Sequence, residues 1–165
     1  MVDVKKDGCD NEEEVVQLFN MILKAAKDIL DPETLTVPIA EMYLQEKDWG
    51  GMNLVAVTDI SDFYKRWYAI YFDPAFYSLK TEYQISTLIH ELAHVQNASR
   101  LLTDLETAVI DADEFNYRLD EVINANGHDR HWEKIARDIA KKFGSDPNLP
   151  CIKYIDFEDD QFWLE

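Results

Sequence analysis

Basic residues are scarce in this chain: 16 lysines and arginines stand against 33 aspartates and glutamates, a net charge of −17. A surface this acidic repels phosphate backbones, which argues against direct nucleic-acid binding and points to basic proteins or small uncharged molecules as partners. Cysteine is nearly absent. Cys9 and Cys151 are the two, and neither sits in a Cys-x-x-Cys pair. That leaves no basis for a disulfide framework or a zinc ribbon and fits a reducing cytoplasm. No apolar run reaches membrane-spanning length, and the polar, acidic stretch Met1–Glu14 has no apolar core of signal-peptide type. The expectation is a cytoplasmic protein with no membrane partner, a composition compatible with a phage-encoded protein in a host cytoplasm. Histidine is also rare, four in all, and the four fall into two pairs, His90 with His94 and His128 with His131.

Hydrophobic residues make up 47% of the 165 positions, enough for the core of one domain. Residues 1–11 read as a flexible leader. From Asn11, the apolar positions Val15, Leu18, Phe19, Ile22, Leu23 and Ala26 recur at helical spacing behind the acidic run Glu12–Glu14. Asp31-Pro32 ends this helix or caps another. A second, shorter helix is expected after Pro38, through Met42 and Leu44, stopping at Gly50-Gly51. Asn53–Thr58 and Trp67–Phe72 read as two strands joined across Asp59–Arg66, the second broken by Asp73-Pro74. Three further helices are expected over about 82–102, 105–125 and 129–143, with Asn126-Gly127 punctuating the last two. Residues 12–143 then form one domain, and 144–165 an acidic tail packed on it. The fold class is α+β: a central helix packed with others around a small antiparallel sheet.

The chemistry concentrates at His90-Glu91-Leu92-Ala93-His94. Positions 90 and 94 are one helical turn apart, so both imidazoles project from one face, as two ligands of a tetrahedral metal must. Glu91 points beside the metal, where a carboxylate can take a proton from water acidified by zinc. A catalytic zinc needs a third protein ligand and an open position. The best local source is Gly127-His128-Asp129-Arg130-His131-Trp132.

With these residues together, the chain resembles the SprT-like metallopeptidases, over roughly residues 50–143. The resemblance implies a zincin-like fold with zinc held by His90, His94 and His128, Glu91 as general base, and Trp132 as the aromatic that follows the third ligand. It implies hydrolysis of a protein or peptide substrate. Two departures stand out: 34 residues separate His94 from His128, longer than the family spacing, and Asp129 replaces a glycine. Without a zinc ribbon or basic tail, the DNA-linked activity of some members is not implied. A second resemblance competes. Asp111-Ala112-Asp113-Glu114-Phe115 is similar to the third-ligand helix of ImmA/IrrE-type peptidases, which makes Asp111 the alternative ligand; His131 is the remaining one. Tyr68 and Tyr71, on the strand expected at the sheet edge above the cleft, are candidates to stabilise an oxyanion. The acidity supports a rival from another class, an interaction or inhibitor protein that binds a basic or DNA-binding partner around a structural or vestigial zinc.

Overall fold

A computed structural model describes residues 8–44, 54–124 and 128–164. The fold is mixed α+β, with five α-helices and a three-stranded sheet among these residues. Helix α1 (Glu12–Ala25) starts at Asn11, whose side chain accepts the Glu14 N–H at 2.9 Å, and three glutamates fill its first turn. Both features satisfy the exposed amides at a helix start. Its buried face, Val15, Leu18, Phe19, Ile22 and Leu23, is the stripe the spacing predicts. A one-turn helix α2 (Pro32–Leu35) follows, with Pro32 in its first turn.

Pro38 opens a strand, not the expected helix. Strand β1 (Ile39–Glu41) pairs in parallel with β3 (Ala69–Phe72), Ile39 opposite Ile70 and Glu41 opposite Phe72. The competing helix is displaced because Ile70 N–H donates to the Pro38 carbonyl and Met42 N–H to the Phe72 carbonyl, bonds that hold the segment extended. The expected stop at Gly50-Gly51 lies outside the described residues. Strand β2 (Ala56–Asp59) pairs antiparallel with β3, as a hairpin reading requires. The sheet is therefore mixed rather than antiparallel, in the order β1-β3-β2.

That order corrects the placement of Trp67–Phe72. Its strand is central, and β2 is the edge on the side of His90 and Glu91. Ala69, Ile70 and Phe72 are all buried, on both faces of the strand, which is the burial of a central strand.

The longest helix, α3 (Thr81–Glu106), buries 18 of its 26 residues and is the axis of the domain. The expected helix over 105–125 starts later. The chain turns over residues 107–111, with Ala108 at φ 58°, and α4 (Ala112–Asn124) begins after Asp111, which accepts the Glu114 N–H at 2.8 Å. Asp104 and Glu106 close α3 and pair with Arg118 and Arg66. Phe115 and Val122 of α4 enter the core, whereas Tyr117 is exposed. Helix α5 (Arg130–Phe143) carries Trp132, Ala136, Ile139 and Ala140 into the core against α3. Asn126-Gly127 lies outside the described residues.

Both chain ends of the described region dock on α3. Cys9, expected in a flexible leader, is buried: its N–H donates to Gln84 Oε1 at 2.8 Å, and Gln84 Nε2 donates back to its carbonyl. At the other end, Lys80 N–H donates to the Phe162 carbonyl and Leu164 N–H to the Ser78 carbonyl. Phe162 packs edge-on against Tyr83. No helix among the described residues is long and apolar enough to cross a membrane.

Candidate metal centre

Helix α3 delivers His90 and His94 one turn apart, with His94 Nε2 3.3 Å from His90 Nε2. His128, in the short connection before α5, brings its Nε2 to 3.0 Å from the same atom. Among the described residues, these three histidines are the one group of His, Cys, Asp or Glu whose ligand atoms converge, all within 4.8 Å of one another.

The position of His128 is fixed locally. Asp129 is extended at φ −82° and caps α5, its carboxylate accepting the Trp132 N–H at 2.8 Å and facing Asn97 Nδ2 of α3 at 3.4 Å. Asp129 therefore starts the helix and ties the His128 segment to α3. Trp132, 1% exposed, is the floor of the cluster. Its indole stacks on His94, meets His90 and His128 edge-on, and donates from Nε1 to the His90 carbonyl at 3.1 Å.

A divalent cation fits these residues. His90 Nδ1 lies 2.8 Å from the carbonyl oxygen of Pro150, within a 3-10 turn over Leu149–Cys151. A carbonyl only accepts, so Nδ1 carries the proton and Nε2 presents a lone pair inward. His94 and His128 both approach that one lone pair, which cannot accept from two donors at close range. Adding protons is opposed as well. Burial pushes His90 down to about 4, and burial with repulsion from His90 pushes His128 to about 4. His94 is held well below its usual value by burial and by both neighbours. The neutral imidazoles are thus kept in the form that binds a metal. Two nitrogens on a tetrahedral zinc, each 2.0–2.1 Å away, lie about 3.3 Å apart, close to the 3.3 and 3.0 Å that separate His90 Nε2 from the other two.

Glu91 is buried beside the cluster. Its Oε1 lies 3.9 Å from His90 Nε2, and its Oε2 is 2.5 Å from the Thr58 hydroxyl. Burial raises the carboxyl to about 7, against the lowering effect of the Thr58 hydrogen bond. A carboxyl poised near neutrality can both take and return a proton. A cleft beside it is lined by Leu54, Val55 and Ala56 around β2, by Ser86, Thr87, His90 and Glu91 of α3, and by Leu149 and Ile152–Ile155.

Of the alternative ligands, Asp111 is exposed and spends its carboxylate on the cap of α4, and His131 lies outside the converging group. Tyr68 is buried at the start of β3 and Tyr71 lies within that central strand; neither lines the cleft. The aromatic that does is Tyr154, whose ring meets His128 at 5.9 Å. Sequence reasoning missed Thr58, Pro150 and Tyr154. No local pattern marks them, since each acts across 26 positions or more of chain. A scan against family models, a search of curated proteins and a search of solved structures each find no match to this chain.

Proposed function

We propose that the chain is a zinc-dependent endopeptidase with a SprT-like arrangement, in which His90, His94 and His128 hold the metal and Glu91 is the general base. The observation that carries this reading is the convergence of three imidazole nitrogens beside a buried carboxylate, with His90 and Glu91 lining a cleft. Imidazole donors suit zinc, and three protein ligands with an open position is the catalytic pattern, four being the structural one. Zinc held there supplies Lewis-acid polarisation of a carbonyl and acidifies water. Glu91 takes the proton from the attacking water and returns it to the departing amine nitrogen. Trp132 and Pro150 hold the His90 ring, which keeps the donor set in place as substrates come and go.

The substrate is an extended peptide segment laid along β2. Asp73 N–H donates to the Val55 carbonyl. In an antiparallel ladder, that bond assigns Val55, Val57 and Asp59 to hydrogen bonding with β3 and turns the main-chain groups of Ala56 and Thr58 toward the outer edge, which no strand among the described residues covers. The aliphatic walls, Leu54, Val55, Leu149 and Ile152, suit apolar side chains beside the scissile bond.

The test is cleavage of a diverse peptide mixture by zinc-loaded protein, read by mass spectrometry, alongside Glu91→Gln. Wild type is expected to cut, and the variant to keep zinc and leave the mixture intact. A zinc-loaded wild type that cuts nothing, or a variant that cuts at the wild-type rate, overturns the reading.

A further inference from the structure

We propose that Thr58 is a positioning residue for Glu91, linking the strand that receives substrate to the base that acts on it. The consequence for catalysis rests on the peptidase reading; the geometry does not. The Thr58 hydroxyl lies 2.5 Å from Glu91 Oε2 and 3.1 Å from the Glu91 carbonyl oxygen. Its single proton goes to the nearer, charged acceptor, the stronger of the two hydrogen bonds. Oε2 is thereby tied to β2. Oε1 is the oxygen on the side of the histidine nitrogens, 3.9 Å from His90 Nε2.

This division of the carboxylate matters for proton transfer. With Oε2 engaged, the proton from water is received on Oε1 and given back from it. Oε2 accepts from Thr58 before, during and after, so no hydrogen bond has to be remade within the cycle. A glutamate has three side-chain torsions to fix, and a buried carboxylate without a donor pays the desolvation of a charged group. Burial alone would not choose between its two oxygens; the Thr58 hydroxyl does.

Thr58 also occupies a special place in the sheet. It stands opposite Ile70 in the ladder, a position whose main-chain groups face the outer edge of β2, away from β3, while its side chain reaches α3. A peptide that pairs with β2 therefore bonds to the main chain of the same residue whose hydroxyl anchors the base. Substrate docking and orientation of the base meet at one residue.

Thr58→Val keeps the shape and the β-branch and removes the hydroxyl; Thr58→Ser keeps the hydroxyl. The experiment is crystal structures of the zinc-loaded wild type and both variants, with steady-state kinetics on any peptide cut in the assay above. Expected is a Glu91 carboxylate in one place in wild type and Thr58→Ser but swung or spread over rotamers in Thr58→Val, with zinc affinity unchanged in all three. In kinetics, kcat is expected to fall on the order of 100-fold in Thr58→Val, the cost of about an ångström of misplacement, with KM unchanged and the loss largely restored in Thr58→Ser. A Glu91 carboxylate that stays put in Thr58→Val overturns the proposal whether or not anything is cleaved. So does an equal kcat loss in both variants, which would mark a packing role. If none of the three proteins cuts any peptide, the peptidase reading falls while the carboxylate positions still decide the role of Thr58.

Discussion

Replacing His128 by alanine tests the metal centre most directly, because competing ligands were in view and their surroundings now differ. His128 Nε2 is 3.0 Å from His90 Nε2, so the substitution removes one of three converging donors. Zinc sites built from four protein ligands bind with about 10–16 kcal/mol, on the order of 3 kcal/mol per ligand. At 1.4 kcal/mol per tenfold, His128→Ala is expected to weaken zinc binding by at least about 100-fold. Asp129→Ala leaves all three imidazoles but removes the acceptor for the Trp132 N–H and the contact with Asn97. The expected cost is about 1 kcal/mol of stability from the lost cap and about 10–100-fold in zinc affinity, as for other groups that orient a ligand. Asp111→Ala removes the cap of α4 at a similar stability cost, with zinc affinity unchanged, and His131→Ala changes neither. Competition with a chromophoric zinc chelator gives the four affinities, and thermal unfolding of the metal-free proteins separates stability from binding. The order His128, then Asp129, then Asp111 with His131 is the expected result. A crippled Asp111→Ala beside a silent His128→Ala would refute the site as built here and favour the ImmA/IrrE-type alternative.

Glu91→Gln also has a consequence for metal-free stability. Burial raises the Glu91 carboxyl from 4.5 to about 7, so its ionisation opposes folding: the cost is absent below about 4.5 and complete above about 7, roughly 3 kcal/mol by linkage. Metal-free Glu91→Gln is therefore expected to melt above wild type at pH 8, with the gap closing on acidification; calorimetry showing no gap, or a reversed one, contradicts the assignment. A chain of net charge −17 is expected to show no appreciable DNA affinity at physiological salt, and tight binding in an anisotropy titration would count against that reading of its surface.

The parts of the fold that were legible in the sequence are those specified locally. Asn11 before Glu12–Glu14, the apolar stripe of α1, and α5 from its cap at Asp129 to Phe143 follow from residues within a few positions of one another, and the hairpin of β2 and β3 from pairs no more than 16 positions apart. The pairing of His90 with His94 belongs to this class, since one helical turn sets it. What failed depended on distant partners. Ile39–Glu41 is a strand only because β3 offers it main-chain bonds 31 residues away in register. The end of α3 was hidden because residues 107–111 contain neither glycine nor proline; the turn is made by Ala108 at positive φ. One signal was present and misread. Ala69-Ile70-Tyr71-Phe72 is apolar at every position, which suits a strand covered on both faces better than one at an edge.

The long interval between His94 and His128 has a geometric resolution in the helices between them. Beyond His94, α3 runs on for 12 residues to Glu106, about 18 Å at 1.5 Å per residue. The turn at 107–111 reverses the chain, and the 13 residues of α4 span about 20 Å. The outward and return paths are nearly equal, so the chain arrives at His128 level with His94, from which it left. The return path is held against α3 by Phe115 and Val122 in the core and by Arg118, a buried cation 3.2 Å from Asp104. Breaking such a pair leaves a buried charge uncompensated, which makes Arg118 and Asp104 a control on the register of the excursion. An interval of 34 residues is thus no obstacle to a short-range site. It adds a helical hairpin to the far end of α3 and leaves the placement of the three imidazoles to Asp129, Trp132 and Pro150, the residues that touch the histidine segments themselves.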